Sequence, residues 1–154
     1  MKVLLQTSSW FVIIALILSC HMSIINKNYR DSMINNNLQQ ATDYAFDCMI
    51  DYYRTNSTEY LSKYDGELLM GVNLTEEQQR QKAALDAQWT ADCMQQFNIA
   101  LQDTLTSDGE VTVSVLASDV VSGTFDIVVA EVYSYKLFGK TGTCTCERAV
   151  TFEQ

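Results

Sequence analysis

From Val3 to Asn26 the chain carries no Asp, Glu, Lys or Arg, and twelve of these 24 residues are Val, Leu, Ile or Phe. A helix of that length rises about 36 Å, enough to cross a hydrocarbon core of about 30 Å with some tilt. Beyond it the pattern changes. Ile34, Leu38, Ala41, Ala45, Cys48 and Tyr52 recur at spacings of 4, 3, 4, 3 and 4, the seam of an amphipathic helix. Proline is absent from the chain and no glycine precedes Gly66, so nothing interrupts a helix between span and seam. The pattern predicts one helix from the bilayer out to about Tyr53, the alternative being two helices parted near Asn26 to Asn28.

That helix is expected to end at the polar run Arg54 to Thr58, with a loop through Asp65 and Gly66 to Gly71. Thr75-Glu76-Glu77-Gln78 has the form of a capping box, opening a second helix over about Glu76 to Leu105. Ala83, Ala87, Met94, Phe97 and Leu101 mark its expected buried stripe, flanked by Trp89, Cys93 and Ala100. From Glu110 the period falls to 2. Val111, Val113 and Val115 form a first strand, and Ser122-Gly123 a turn. Thr124 to Leu137 is the strongest strand, with Phe125, Ile127, Val129, Tyr133, Tyr135 and Leu137 on one face. A turn at Gly139 to Gly142 precedes a third strand over Thr143 to Phe152. Short connections favour an antiparallel meander, and the helices are the available cover for its apolar face. The expected fold is α+β: an anchor over residues 1–26 and one α+β domain over 27–154.

The uncharged span admits three readings. An uncleaved signal anchor is preferred, because the helical pattern continues beyond it. A cleavable signal would use Lys2 as its basic start, yet no A-x-A-like site follows. Ile17-Leu18-Ser19-Cys20 resembles a lipobox, which would make Cys20 a lipidated residue. Lys2 stands on one side of the span, Lys27 and Arg30 on the other, so the basic flanks do not fix orientation. The domain is placed outside the cytoplasm because short uncharged amino-terminal tails usually stay inside.

Charge narrows the partners. All 19 acidic residues but only 7 of the 10 basic ones lie beyond position 30, a net of −12 (7 − 19), which repels phosphate backbones and argues against nucleic acid. The sole histidine, His21, falls in the span, so no Ser-His-Asp or Cys-His set can assemble in the domain. No Gly-rich phosphate loop and no C-x-x-C occurs, and neither a catalytic site, a cofactor nor a metal is expected. Asn56-Ser57-Thr58 and Asn73-Leu74-Thr75 read as glycosylation sequons or, preferably, as helix-end residues.

Four cysteines belong to the domain: Cys48, Cys93, Cys144 and Cys146. Cys144 and Cys146, two apart on a strand, stand about 7 Å apart, too far for a comfortable mutual disulfide. At most one intrachain bond is expected, Cys93 with a strand cysteine slightly favoured over Cys48 with Cys93, and buried free thiols are the alternative.

A membrane helix running into an amphipathic helix and then a short antiparallel sheet resembles type IV pilin-like subunits. The stretches Ala91 to Phe97, Ser107 to Val113 and Cys146 to Glu153 are similar to anchored proteins of Gram-positive anaerobes associated with Tad-type pilus systems. The resemblance implies a structural subunit of a surface pilus or secretion apparatus, partnered by the membrane and by other subunits. It does not extend to the processing site, since no Gly precedes 66 and no Glu precedes 59. The rival expectation is a lipoprotein-like binding module that uses the Tyr133/Tyr135 face.

Overall fold

The computed structural model describes residues 2–137 and 140–152, with side chains over 10–136 and 141–152. The side chains of Val3, Leu4, Leu5 and Leu137, together with Gly139 and Glu153, lie outside the described residues. A single helix, α1, runs unbroken over Lys2–Leu61. At 1.5 Å per residue it is about 90 Å long. Its uncharged stretch carries exposed apolar side chains: Trp10, Phe11, Ile14, Leu18 and Ile25 are each half or more exposed. Among the described residues α1 is the one helix long and apolar enough to cross a membrane.

The helix outruns its expected end. The polar run at 54–58 does not cap it, because those side chains bond back into the same helix. Asn56 Nδ2 donates to the Tyr52 carbonyl at 2.8 Å, and Ser57 Oγ to that of Arg54 at 3.0 Å. Asn56-Ser57-Thr58 is therefore mid-helix and not a helix end. Tyr60, buried in the core, holds the extra turn in place before Ser62, Lys63 and Tyr64 close the chain off.

The expected loop contains a short helix, α2, over Gly66–Met70, pinned by the fully buried Leu68. Gly71 ends it at φ 65, a left-handed conformation that suits glycine, with its N–H on the Glu67 carbonyl at 3.1 Å. Helix α3 spans Glu76–Thr104. Its capping box forms as expected: the Gln78 N–H donates to Thr75 Oγ1 at 3.3 Å, and the Thr75 N–H to Gln78 Oε1 at 2.9 Å. The buried stripe differs from expectation. Ala83 and Ala87 are exposed, and burial begins at Trp89 and continues through Cys93, Phe97, Ala100 and Leu101. The alanine-rich turns lie beyond the end of α1, where only α2 and its flanks remain to pack on.

Three strands, β1 (Glu110–Asp119), β2 (Thr124–Leu137) and β3 (Lys140–Phe152), form an antiparallel meander in the order β1-β2-β3. The tight β1–β2 turn rests on Asp119, whose carboxylate accepts the Val121 and Ser122 N–H groups at 3.1 Å each, and on Gly123 at φ 73. A bulge between Val115 and Ala117 leaves Leu116 exposed. Strand β3 starts earlier than expected, because Lys140, Thr141 and Gly142 already pair with Leu137, Lys136 and Tyr135.

Helix α1 lies across β2 and β3, and α3 packs on α1, giving an α+β layout with the sheet covered on one face. Trp89 is the centre of the core, sandwiched between Tyr53 at 5.1 Å and Tyr60 at 5.0 Å, both nearly parallel to it. Phe125 from β2 meets Tyr53 edge-on at 5.4 Å. Thr42 is also fully buried, and its Oγ1 has no hydrogen-bond partner among the described residues. Thr42→Val keeps the shape and removes an unpaired hydroxyl, so it is expected to raise stability by about 1 kcal/mol, read as a shift in denaturant midpoint.

Candidate functional site

The chemistry of the domain gathers where the sheet meets α1 just beyond the uncharged span. The pleat of β2 turns Phe125, Ile127, Val129 and Tyr133 toward the helices, and the β3 register adds Cys144, Cys146, Arg148 and Val150 to the same face. Arg148 fastens β3 to α1 through a bidentate pair with Asp43, at 2.8 and 3.1 Å. Further toward the span, Tyr133 Oη donates to Asp31 Oδ1 at 2.7 Å, and Lys27 Nζ donates to Asp31 Oδ2 at 2.7 Å. These two donors hold the Asp31 carboxyl below its ordinary value, Lys27 foremost. Lys27 also sits over the Tyr135 ring at 4.7 Å. That ring lies flat over β3 because position 142 is glycine; a Cβ there would come within 2.7 Å of it.

Arg30, at the same corner, pairs with Asp108 at 2.6 Å and so ties α1 to the α3–β1 connection. Beside it a groove of about 460 Å³ runs between Tyr29, Met33 and Ile34 of α1 and the Thr106 to Asp108 segment. Glu131 lines this groove while only 1% exposed. Ser107 Oγ donates to its Oε1 at 2.6 Å, and Oε2 has no partner among the described residues. Glu131 shares the inner face of β2 with Val129 and Tyr133, a position at which sequence reasoning expected no acid. The available signal was the strict alternation itself, which assigns residue 131 to that face.

The six seam positions are not equally deep. Leu38, Ala41 and Ala45 are buried, whereas Ile34, Cys48 and Tyr52 are half-buried. Past Ala45 the buried line shifts to Met49, Ile50 and Tyr53, a broader face than a 4-3 seam. The Tyr133/Tyr135 pair is not an open surface. Tyr133 is 1% exposed beneath α1, and Tyr135 lines a cavity.

All five cysteines are free. Cys144 and Cys146 flank the Tyr133 hydroxyl near Asp31. Cys93 lies in the core beside Tyr53, which is 22 residues from Asp31 on α1 (53 − 31), or about 33 Å. The favoured pairing of Cys93 with a strand cysteine is therefore corrected by distance. A Cys48–Cys93 bond needed extra helical length on α1, and that length is present, yet Cys48 meets Tyr44 one turn back while Cys93 faces the aromatic core. Burial pushes the Cys93 thiol up to about 12, with Asp92 adding to the effect. A thiol so placed is core packing and a poor nucleophile. Cys20 sits on the uncharged stretch of α1. Among the described residues no group of three His, Cys, Asp or Glu side chains is arranged to hold a metal.

No protein-family model matches the chain, and no curated protein or solved structure is significantly similar to it.

Proposed function

We propose that the protein is a membrane-anchored, pilin-like structural subunit of a surface pilus or secretion apparatus, with its α+β domain outside the cytoplasm. One observation carries the reading: a single unbroken helix has an exposed apolar half and an outer half built into a domain. An enzyme would need a converging set of reactive groups. The polar groups that do converge, Lys27, Asp31, Tyr133 and Arg148 with Asp43, bond to one another and fasten helix to sheet. The exposed Tyr29 and Met33, alongside the groove, offer a lateral contact for a neighbouring subunit.

Alkaline carbonate washing of membranes that hold the full chain is expected to leave it in the pellet, with Met1 detected by intact mass. Release to the supernatant, or a diacylglyceryl group on Cys20, would sink the signal-anchor reading. A photo-crosslinker at Met33 is expected to trap a second copy or another membrane protein. Adducts with lipid and water alone would leave the subunit reading without support.

The rival reading, a binding module, draws on the same groove, whose apolar walls and unpaired Glu131 oxygen suit a ligand with a cationic group. Loss of a retained small molecule on Glu131→Gln, with crosslinking unchanged, would favour it.

A further inference from the structure

A second cleft, of about 330 Å³, opens on the membrane-proximal side between α1 and the β2–β3 hairpin. Three of the residues lining it are Lys27, Arg30 and Lys136, joined by Ser134, Tyr135 and Thr141, and no carboxylate lines it. That is an unusual concentration in a chain whose formal charge is −9. Resting on the membrane-anchored reading above, we propose that this cleft binds the phosphate of an anionic phospholipid headgroup in the leaflet from which the domain emerges.

Height along α1 supports the lipid source. Headgroups occupy about 5–7 Å on each side of the hydrocarbon core. The uncharged stretch ends at Asn26, and Lys27 to Arg30 cover the next ~5 Å of helix. The cleft thus lies in the headgroup layer, where a phospholipid phosphate is the concentrated ligand.

The side chains are prepared for an anion. Lys27 and Arg30 are each oriented by one carboxylate, Asp31 and Asp108, at 2.7 and 2.6 Å. An ammonium has three donors and a guanidinium five, so both retain N–H groups for a second acceptor. Lys136 forms no ion pair among the described residues. Counting both carboxylates, the local charge is still +1 (3 − 2). The hydroxyls of Ser134 and Thr141 add uncharged donors on the sheet side. A zwitterionic headgroup would bring its own ammonium into this positive field, which favours the anionic class.

The test is native mass spectrometry of the full chain released from vesicles of phosphatidylglycerol and phosphatidylcholine in equal amounts. Preferential retention of phosphatidylglycerol is expected. Lys136→Gln, at an exposed position, should reduce that retention about fivefold, the weight of one basic residue near the surface, and Lys136→Arg should preserve it. Equal retention of the two lipids, or no loss in Lys136→Gln, would overturn the proposal. Excess inorganic phosphate should leave the retained lipid in place; full displacement would mark a site for soluble phosphate and overturn the lipid assignment.

Discussion

Trp89→Ala is expected to remove about 3–5 kcal/mol of stability, read as a lowered denaturant midpoint of the full chain in detergent. The side chain is 0% exposed and joins three elements at once. Tyr53 and Tyr60 of α1 stack on its two faces, and Tyr53 passes the contact to Phe125 of the sheet. Alanine leaves a void between two rings that cannot close together, because each is tethered by its own hydroxyl. Tyr53 Oη donates to the Val120 carbonyl at 3.1 Å, and Tyr60 Oη to Asp92. With domain stability of about 5–15 kcal/mol, such a loss is a large share of the whole. Trp89→Phe, which refills most of the slot, should recover much of it. A midpoint unchanged by the alanine variant would mean that the α1–α3 contact is not what holds the domain together.

The second large effect is alkaline. Tyr60 is held far above its ordinary 10.0, first by its hydrogen bond to Asp92 and then by burial. Tyr64 is raised by burial and by Asp86, Tyr133 by burial, Cys144 and Asp31. Each is an acid whose folded pKa lies above its unfolded one. Its stabilising effect is complete below pH 10.0 and is lost as pH rises beyond that value. Cys93 behaves alike from a lower start, its stabilising effect being lost as pH rises from 9.0 toward about 12. Near-ultraviolet circular dichroism should therefore show cooperative loss of tertiary structure as pH climbs above 9 to 10, with Tyr60→Phe shifting the transition upward. A signal flat through that range would contradict the burial of these groups. On the proposed anchored reading, carbonate extraction is expected to unfold the domain while the uncharged span stays in the bilayer.

The features legible in the sequence were those set by local pattern. Absence of proline and of glycine before Gly66 foretold the unbroken helix, and period-2 alternation with Ser122-Gly123 foretold the meander. Features set by partners were not legible. Arg54 to Thr58 has the composition of a helix end, yet its side chains bond back into α1 and Tyr60 docks onto Trp89, 29 residues later (89 − 60), so the helix runs through it. Ala83 and Ala87 fit a buried stripe by spacing, but burial depends on where α1 stops. Of the candidate site, the basic flank of the span was visible in Lys27 and Arg30. The joining of Lys136 to them, and the burial of Glu131, needed the sheet register.

The unbroken α1 has a mechanical consequence. From Asn26 to Leu61 it extends about 53 Å with no proline or glycine at which to bend. The domain is clasped along this shaft by Arg148–Asp43 and Arg30–Asp108, so it cannot swivel independently of the span. On the proposed anchored reading the helix is a lever whose fulcrum is the bilayer. At a typical tilt of about 20°, its far end sweeps ~18 Å sideways, so a change in membrane thickness, which alters tilt, becomes lateral displacement of Tyr60 and Trp89.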